Sequence, residues 1–156
     1  MKRNIFLVAS LLMVAMLFAA CAPQAQAATE VPDAGPTTSH GGPVEDYVSL
    51  VDTLRAADAT VEPADTVEQA FFSVTGQIIK VNGADVQVFE YESAEAMEAD
   101  AAQVAPDGGS VGTSIMMWMA TPHFFKSGHV LVLYVGDDTA TLDLLKGALG
   151  EQFAGR

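Results

Sequence analysis

The segment Val130–Val135 constrains the fold most, because all six of its residues are apolar. In an extended strand, successive side chains point to opposite faces, so both faces of this strand are apolar. Such a strand either lies in the centre of a sheet covered on both sides, or one face of the sheet meets a partner. The second alternative predicts contact with a protein partner or a second copy, and the candidate contact residues are Phe124, Phe125, Val130, Val132 and Tyr134. For Phe124 and Phe125, burial in the core is the competing interpretation.

The rest of the domain alternates between β-rich and helical segments. Asn82-Gly83 lies between residues 77–81 and 85–91 and is the dipeptide favoured in tight hairpins. Residues 115–120 and 129–135 predict a second hairpin, which turns near Ser127-Gly128. Helical spacing predicts helices near 44–58, 93–104 and 138–149, the second capped by Ser93. This α-(ββα)₂ order, with a period of about 45 residues, predicts an α+β fold, in which a four- to five-stranded antiparallel sheet has helices mainly on one face.

The N-terminus has the pattern of an export signal. Lys2 and Arg3 precede an apolar run over residues 5–20, which is short for a membrane-spanning helix. The run ends at Ala19-Ala20-Cys21, and Cys21 is the only cysteine, so it cannot form an intramolecular disulfide. We therefore expect a signal peptide over residues 1–20 and lipidation at Cys21. Cleavage at Ala25-Gln26-Ala27 is the alternative.

Residues 21–43 are rich in Ala, Pro, Gln, Thr and Gly, and we expect them to form a flexible tether before a single domain over residues 44–156. Without the signal peptide, five basic residues remain against 20 acidic ones, a formal charge of −15. Nucleic acid repels so acidic a surface, so nucleic-acid binding is not expected.

Met117, Met119 and His123 form the one cluster that suggests chemistry. Thioether and imidazole ligands suit Cu(I), so these residues are candidate copper ligands, and the alternative is that the methionines fill the core. On a strand, Met117 and Met119 share one face. Whether His129 shares a face with His123 depends on a two- or three-residue turn. No other cofactor is expected.

No catalytic motif is present. Gly112-Thr113-Ser114 lacks the second glycine of a nucleophile elbow, and a triad of Ser114, His123 and Asp137 has no supporting spacing. We therefore expect a non-enzymatic protein, with a hydrolase as the weakest alternative.

The chain as a whole resembles small hypothetical lipoproteins of bacterial genomes. The resemblance lies in the lipobox-like Leu17 to Cys21, the tether, the run from Thr121 to Lys126 and the closing Leu131 to Asp138. The resemblance implies a lipid anchor on the outer side of the cytoplasmic membrane, or in the outer membrane where there is one. It implies no activity. The predicted function is a protein-binding or accessory module, and the alternative is a copper- or small-ligand-binding protein.

Overall fold

The computed structural model describes residues 42–156. The predicted signal peptide, Cys21 and nearly all of the predicted tether lie outside these residues. The helices are α1 (Tyr47–Ala56), α2 (Ala94–Ala101) and α3 (Thr139–Leu149). The strands are β1 (Val61–Val67), β2 (Gly76–Val81), β3 (Ala84–Glu90), β4 (Ser110–Val111), β5 (Ser114–Ile115), β6 (Pro122–Ser127), β7 (Val130–Val135) and β8 (Ala154–Gly155). Within residues 42–156, no helix has the length and apolar character needed to cross a membrane.

The main sheet is antiparallel, in the order β1-β2-β3-β7-β6-β8, which confirms the α+β class. Its two hairpins, β2-β3 and β6-β7, join where β3 pairs with β7. The sheet has six strands rather than four or five for two reasons. First, the two-residue β8 pairs with β6. Second, residues 61–67 form the edge strand β1, which contains Pro63 because an edge strand tolerates a residue without an N–H. A bulge between Pro63 and Thr66 interrupts the pairing of this edge.

The three helices begin at side-chain caps. Ser93 Oγ accepts a hydrogen bond from Ala96 N at the start of α2, and Asp138 accepts one from Thr141 N at the start of α3. Helix α1 begins later than predicted, because Asp46 is its cap and forms a capping box with Ser49. Each cap satisfies backbone N–H groups that have no partner within the helix.

The turns of the two hairpins differ. Asn82 and Gly83 both have positive φ, 51° and 90°, as the predicted tight turn requires. In the second hairpin Ser127 pairs with Val130, so Gly128 and His129 form the turn. A two-residue turn of Ser127-Gly128 would pair His129 with Lys126, and a three-residue turn would pair it with Phe125, but neither pairing is present. His129 lies in the turn itself, with its Nε2 3.5 Å from Glu90 Oε1.

Both faces of the sheet are covered by this chain. On what we call the α1/α3 face, Leu50, Leu54 and Leu145 pack against the side chains of Val130 and Val132. On the opposite α2 face, helix α2 and the adjoining loops pack against the alternate residues of β7, including Leu131 and Leu133. Two of the helices thus share a face, while α2 lies on the other. The first alternative for β7 is therefore the observed one: the strand lies in the sheet interior and is covered on both sides.

The predicted strand over residues 115–120 is wrong. Only Ser114–Ile115 is a strand, and it pairs with β4 rather than with β7, whose partner in the hairpin is β6. Beyond it, the hydrogen bonds go to a glycine-containing turn: Met116 N donates to Gly109 O, and Trp118 Nε1 donates to Gly108 O at 2.7 Å. The turn therefore holds this segment against the α2 face instead of beside a strand.

Candidate functional site

The five predicted partner-contact residues lie in the core. Phe124, Phe125, Val130, Val132 and Tyr134 are between 0% and 4% exposed. Helices α1 and α3 cover one side of these strands, and α2 with its loops covers the other. A partner cannot reach these side chains, so they do not form a contact surface.

An exposed apolar surface does exist, immediately before β6. The exposed fractions of the side chains are 87% for Ile115 and at least 95% for Met117 and Met119. The alternate residues Met116 and Trp118 are partly buried and pack against the core of the α2 face. The predicted alternation of this segment is therefore present without the strand. We call Ile115, Met117 and Met119 the apolar ridge.

Trp118 anchors the ridge. Its ring makes edge contacts with Phe71 and Phe124, with centroids 6.3 Å and 6.0 Å away. Its Nε1 donates to Gly108 O at 2.7 Å. Gly108 has a φ of +67°, and a Cβ there would lie 2.9 Å from Pro122 Cγ. Only glycine fits this position, and the close approach brings its carbonyl to the indole.

A cleft of about 490 Å³ adjoins the ridge. We call it the Trp118 cleft. Met116, Met117 and Trp118 give it an apolar wall, and Asp107, Asp137 and Arg156 supply its charges. Arg156 Nη2 lies 3.7 Å from Asp107 Oδ2, and both side chains are mostly exposed. The cleft therefore combines an aromatic and thioether surface with two carboxylates, one of which already faces a guanidinium.

Asp100 holds the neighbouring loop in place. Its buried carboxylate accepts hydrogen bonds from Ser73 N, Ser73 Oγ and Tyr91 Oη at 2.7–3.0 Å, and from Gln103 Nε2 at 3.1 Å. Burial, followed by the charge of Asp100, raises the pKa of Tyr91 well above its ordinary value. Because Ser73 follows Phe71 and Phe72, this network positions the rings that pack around Trp118 and Phe89.

The predicted copper ligands are not brought together. Met117 lines the Trp118 cleft on the α2 face. His123 alternates with Phe124 and shares the opposite, α1/α3 face with Phe125. Its Nδ1 lies 2.7 Å from Gln152 Oε1, and its ring stacks on Tyr134. The core alternative for the methionines is also incorrect for Met117 and Met119, because both are exposed. Among residues 42–156, no three His, Cys, Asp or Glu side chains are grouped as a metal site would need.

The triad drawn from Ser114, His123 and Asp137 is not assembled either. Ser114 is exposed on β5, Asp137 lines the Trp118 cleft, and the Nδ1 of His123 is bonded to Gln152 rather than to a carboxylate. The arrangement of a nucleophile, a base and an orienting acid that acyl transfer requires is therefore not formed by these three residues.

Sequence reasoning assigns no site role to Asp107 and Arg156, which line the Trp118 cleft, or to Gln152, which bonds to His123. Gln152 and Arg156 are brought there because β8 pairs with His123 and Phe124 and so carries the C-terminal residues to the outer edge of β6. A two-residue strand has no hydrophobic period of its own, so no sequence signal predicts this placement.

Comparison with known proteins assigns no family to the chain. No protein-family model, no curated protein and no solved structure matches it. Function is therefore inferred from the geometry and chemistry of the described residues.

Proposed function

We propose that this protein is a lipid-anchored, extracytoplasmic accessory module that binds a protein partner through the apolar ridge and the Trp118 cleft. The observation that carries the proposal is the exposure of Ile115, Met117 and Met119 beside packed neighbours. The ridge replaces the contact surface predicted on β6 and β7. Anchoring through Cys21 is the other part of the proposal, and it is supported by the N-terminal sequence pattern.

The ridge has the energetics of a contact surface. Complete burial of a Met or Ile side chain is worth about 1.5–3 kcal/mol relative to exposure in water. Three neighbouring side chains of this kind form a patch that a partner can cover with a substantial gain. Methionine also adapts its shape to a partner because its side chain is unbranched and polarisable. The partly buried indole of Trp118 holds the segment against the domain, so the exposed side chains of the ridge can adjust their rotamers to a partner.

Charge defines the chemistry of the partner. Asp107 and Asp137 lie in the cleft beside the ridge, and the mature chain carries a formal charge of −15. The carboxylate of Asp107 already lies 3.7 Å from one guanidinium group, that of Arg156. A protein surface with an apolar depression and Lys or Arg side chains around it complements this arrangement. An anionic lipid surface does not, because the acidic residues would repel its headgroups.

The experiment is a co-purification of the full lipidated protein from its own membranes in mild detergent. We expect one partner at a stoichiometric level, and we expect Met117→Asp to remove it without lowering the thermal midpoint. The matched control is Val48→Asp, because Val48 is the exposed large apolar residue on α1, outside the ridge. Added salt should weaken the complex, since carboxylate–cation contacts are screened.

Two outcomes would contradict the proposal. The first is that Met117→Asp and Met119→Asp both retain every protein that the wild type retains. The second is that Val48→Asp loses the same partner, which would show a general effect of added charge rather than a contact at the ridge.

A further inference from the structure

His123 lines a second cleft, on the α1/α3 face. The cleft has a volume of about 320 Å³, at the lower end of the range of small-molecule sites. Phe125 and Leu142 give it apolar walls, while Lys146, Gln152 and Arg156 supply polar groups. We call it the His123 cleft. Its wall residue Phe125 lies on the opposite face of the sheet from Trp118, and Arg156 lines both clefts.

The imidazole of His123 is incompletely bonded. The residue is 5% exposed, and its Nε2 has no hydrogen-bond partner among the described residues. Thr53 Oγ1 is the one other buried side-chain atom of residues 42–156 in this condition. Leaving a buried polar atom without a partner costs about 1–3 kcal/mol, so such an atom in a cleft wall indicates a group that is supplied from outside.

The other ring nitrogen defines what that group must be. Nδ1 lies 2.7 Å from Gln152 Oε1, which is an acceptor, so Nδ1 carries the proton. When the ring is neutral, Nε2 then has a free lone pair, and the group that satisfies it is a hydrogen-bond donor, either a hydroxyl or an ammonium group. Nε2 has less than 1 Å² of accessible area, so a donor can reach it only when neighbouring side chains of the cleft move.

The charges around the cleft are unusual for this protein. The mature chain has five basic residues, and two of them, Lys146 and Arg156, line the same cleft. Lys146 Nζ lies 2.6 Å from Glu151 Oε1 in an exposed ion pair, a contact that contributes little to stability. An incoming carboxylate can replace Glu151 at Lys146 at small cost. Asp143 and Glu151 remain beside it as partners for an ammonium group.

We propose that the His123 cleft binds a small carboxylate whose neighbouring carbon carries a hydrogen-bond donor, an α-hydroxy acid or an α-amino acid. The carboxylate pairs with Lys146 and Arg156, and the donor bonds to His123 Nε2. The carbon skeleton lies against Phe125 and Leu142. This site contains no residue of the apolar ridge, and Arg156 is the one residue that it shares with the Trp118 cleft.

Three probes of equal carbon number test the proposal on the full-length protein. Lactate carries the hydroxyl donor, alanine carries the ammonium donor, and propionate carries neither. We expect a concentration-dependent rise in the thermal midpoint with lactate or with alanine, since a ligand that binds the folded state stabilises it. Propionate should give a much smaller rise. The stronger of the first two probes identifies which donor the site accepts.

Matched variants locate the site. Lys146→Ala should weaken the apparent affinity about threefold, as expected for the loss of one exposed ion pair. Lys80→Ala should leave the affinity unchanged, because Lys80 forms a comparable exposed ion pair with Asp85 on the β2-β3 hairpin. Met119→Asp should also leave it unchanged, because Met119 belongs to the ridge and lines neither cleft, and this result separates the ligand site from the ridge. On ¹⁵N-histidine labelling, the Nε2 signal of His123 should shift as ligand is added.

The proposal is overturned if neither lactate nor alanine raises the midpoint. It is also overturned if propionate stabilises as strongly as both, because the donor to Nε2 would then have no role. An undiminished response in Lys146→Ala would place the ligand elsewhere.

Discussion

Asp100 shows how one buried charge can organise a site that it does not touch. Its carboxylate is 7% exposed and accepts hydrogen bonds from Ser73, Tyr91 and Gln103. A buried carboxylate is tolerated only when its oxygens are satisfied in this way. The network fixes the loop that carries Phe71 and Phe72, and these rings support Trp118 below the apolar ridge.

The same network predicts a loss of stability in alkali. The pKa of Tyr91 is raised by burial and by the charge of Asp100, so the folded protein retains the phenolic proton after the unfolded chain has released it. The free energy of unfolding is therefore unaffected by this group below about pH 10 and falls as the pH rises further. Urea unfolding between about pH 8 and about pH 11 measures the slope.

Tyr91→Phe is the comparison variant. It should be less stable at neutral pH, because a hydrogen bond to Asp100 is lost, but its stability should fall less steeply above about pH 10. Some slope will remain, since burial also raises the pKa of Tyr47. Equal slopes in wild type and variant would show that Tyr91 is not the group responsible.

At the scale of elements, the strand β7 illustrates what an apolar run can and cannot predict. The run over Val130–Val135 predicts a strand with two apolar faces, and the strand is present with these bounds. The positions of α2 and α3 determine what covers each face of β7. The sequence does not predict these positions, because the two units β2-β3-α2 and β6-β7-α3 have the same local order. The structure places α2 and α3 on opposite faces, a difference that is set by tertiary packing and not by the period of either helix.

Substitutions on the two faces of β7 should therefore both destabilise the isolated protein. We expect Leu131→Ala, on the α2 face, to lower the free energy of unfolding by about 3 kcal/mol, because it leaves a cavity. Val132→Ala, on the α1/α3 face, should cost about 2 kcal/mol. Denaturant unfolding of each variant measures the change. A face open to a partner would instead show almost no loss in the isolated protein.

Residues 115–120 show the opposite case. Their β-rich and alternating composition predicts a strand, and the alternation of exposed and packed residues is indeed present from Ile115 to Met119. The neighbouring strand that would accept the backbone hydrogen bonds is absent, because Met116 N donates to Gly109 O and Trp118 Nε1 donates to Gly108 O. Sequence alone predicts which side chains share a side. It does not predict which backbone will supply the bonds, so the candidate site was recognised only in part.

For the whole molecule, the predicted lipid anchor at Cys21 determines the mass of the mature protein. We expect intact-mass measurement of the membrane-extracted protein to show a chain that begins at Cys21 and carries diacylglycerol plus an acyl chain. A palmitate analogue should label the wild type, and Cys21→Ala should lose the label. Cleavage after Ala27 with no label in the wild type would contradict this prediction.

The C-terminal residues have a practical consequence for anyone who engineers this protein. Arg156 lines both the Trp118 cleft and the His123 cleft, and its backbone N donates to Pro122 O between them. Foreign residues attached to Arg156 would start at the edges of both proposed sites and would give false negatives in both assays. An affinity tag is better inserted within residues 22–41, between Cys21, the predicted lipidation site, and Val44, the first buried residue of the described part of the chain.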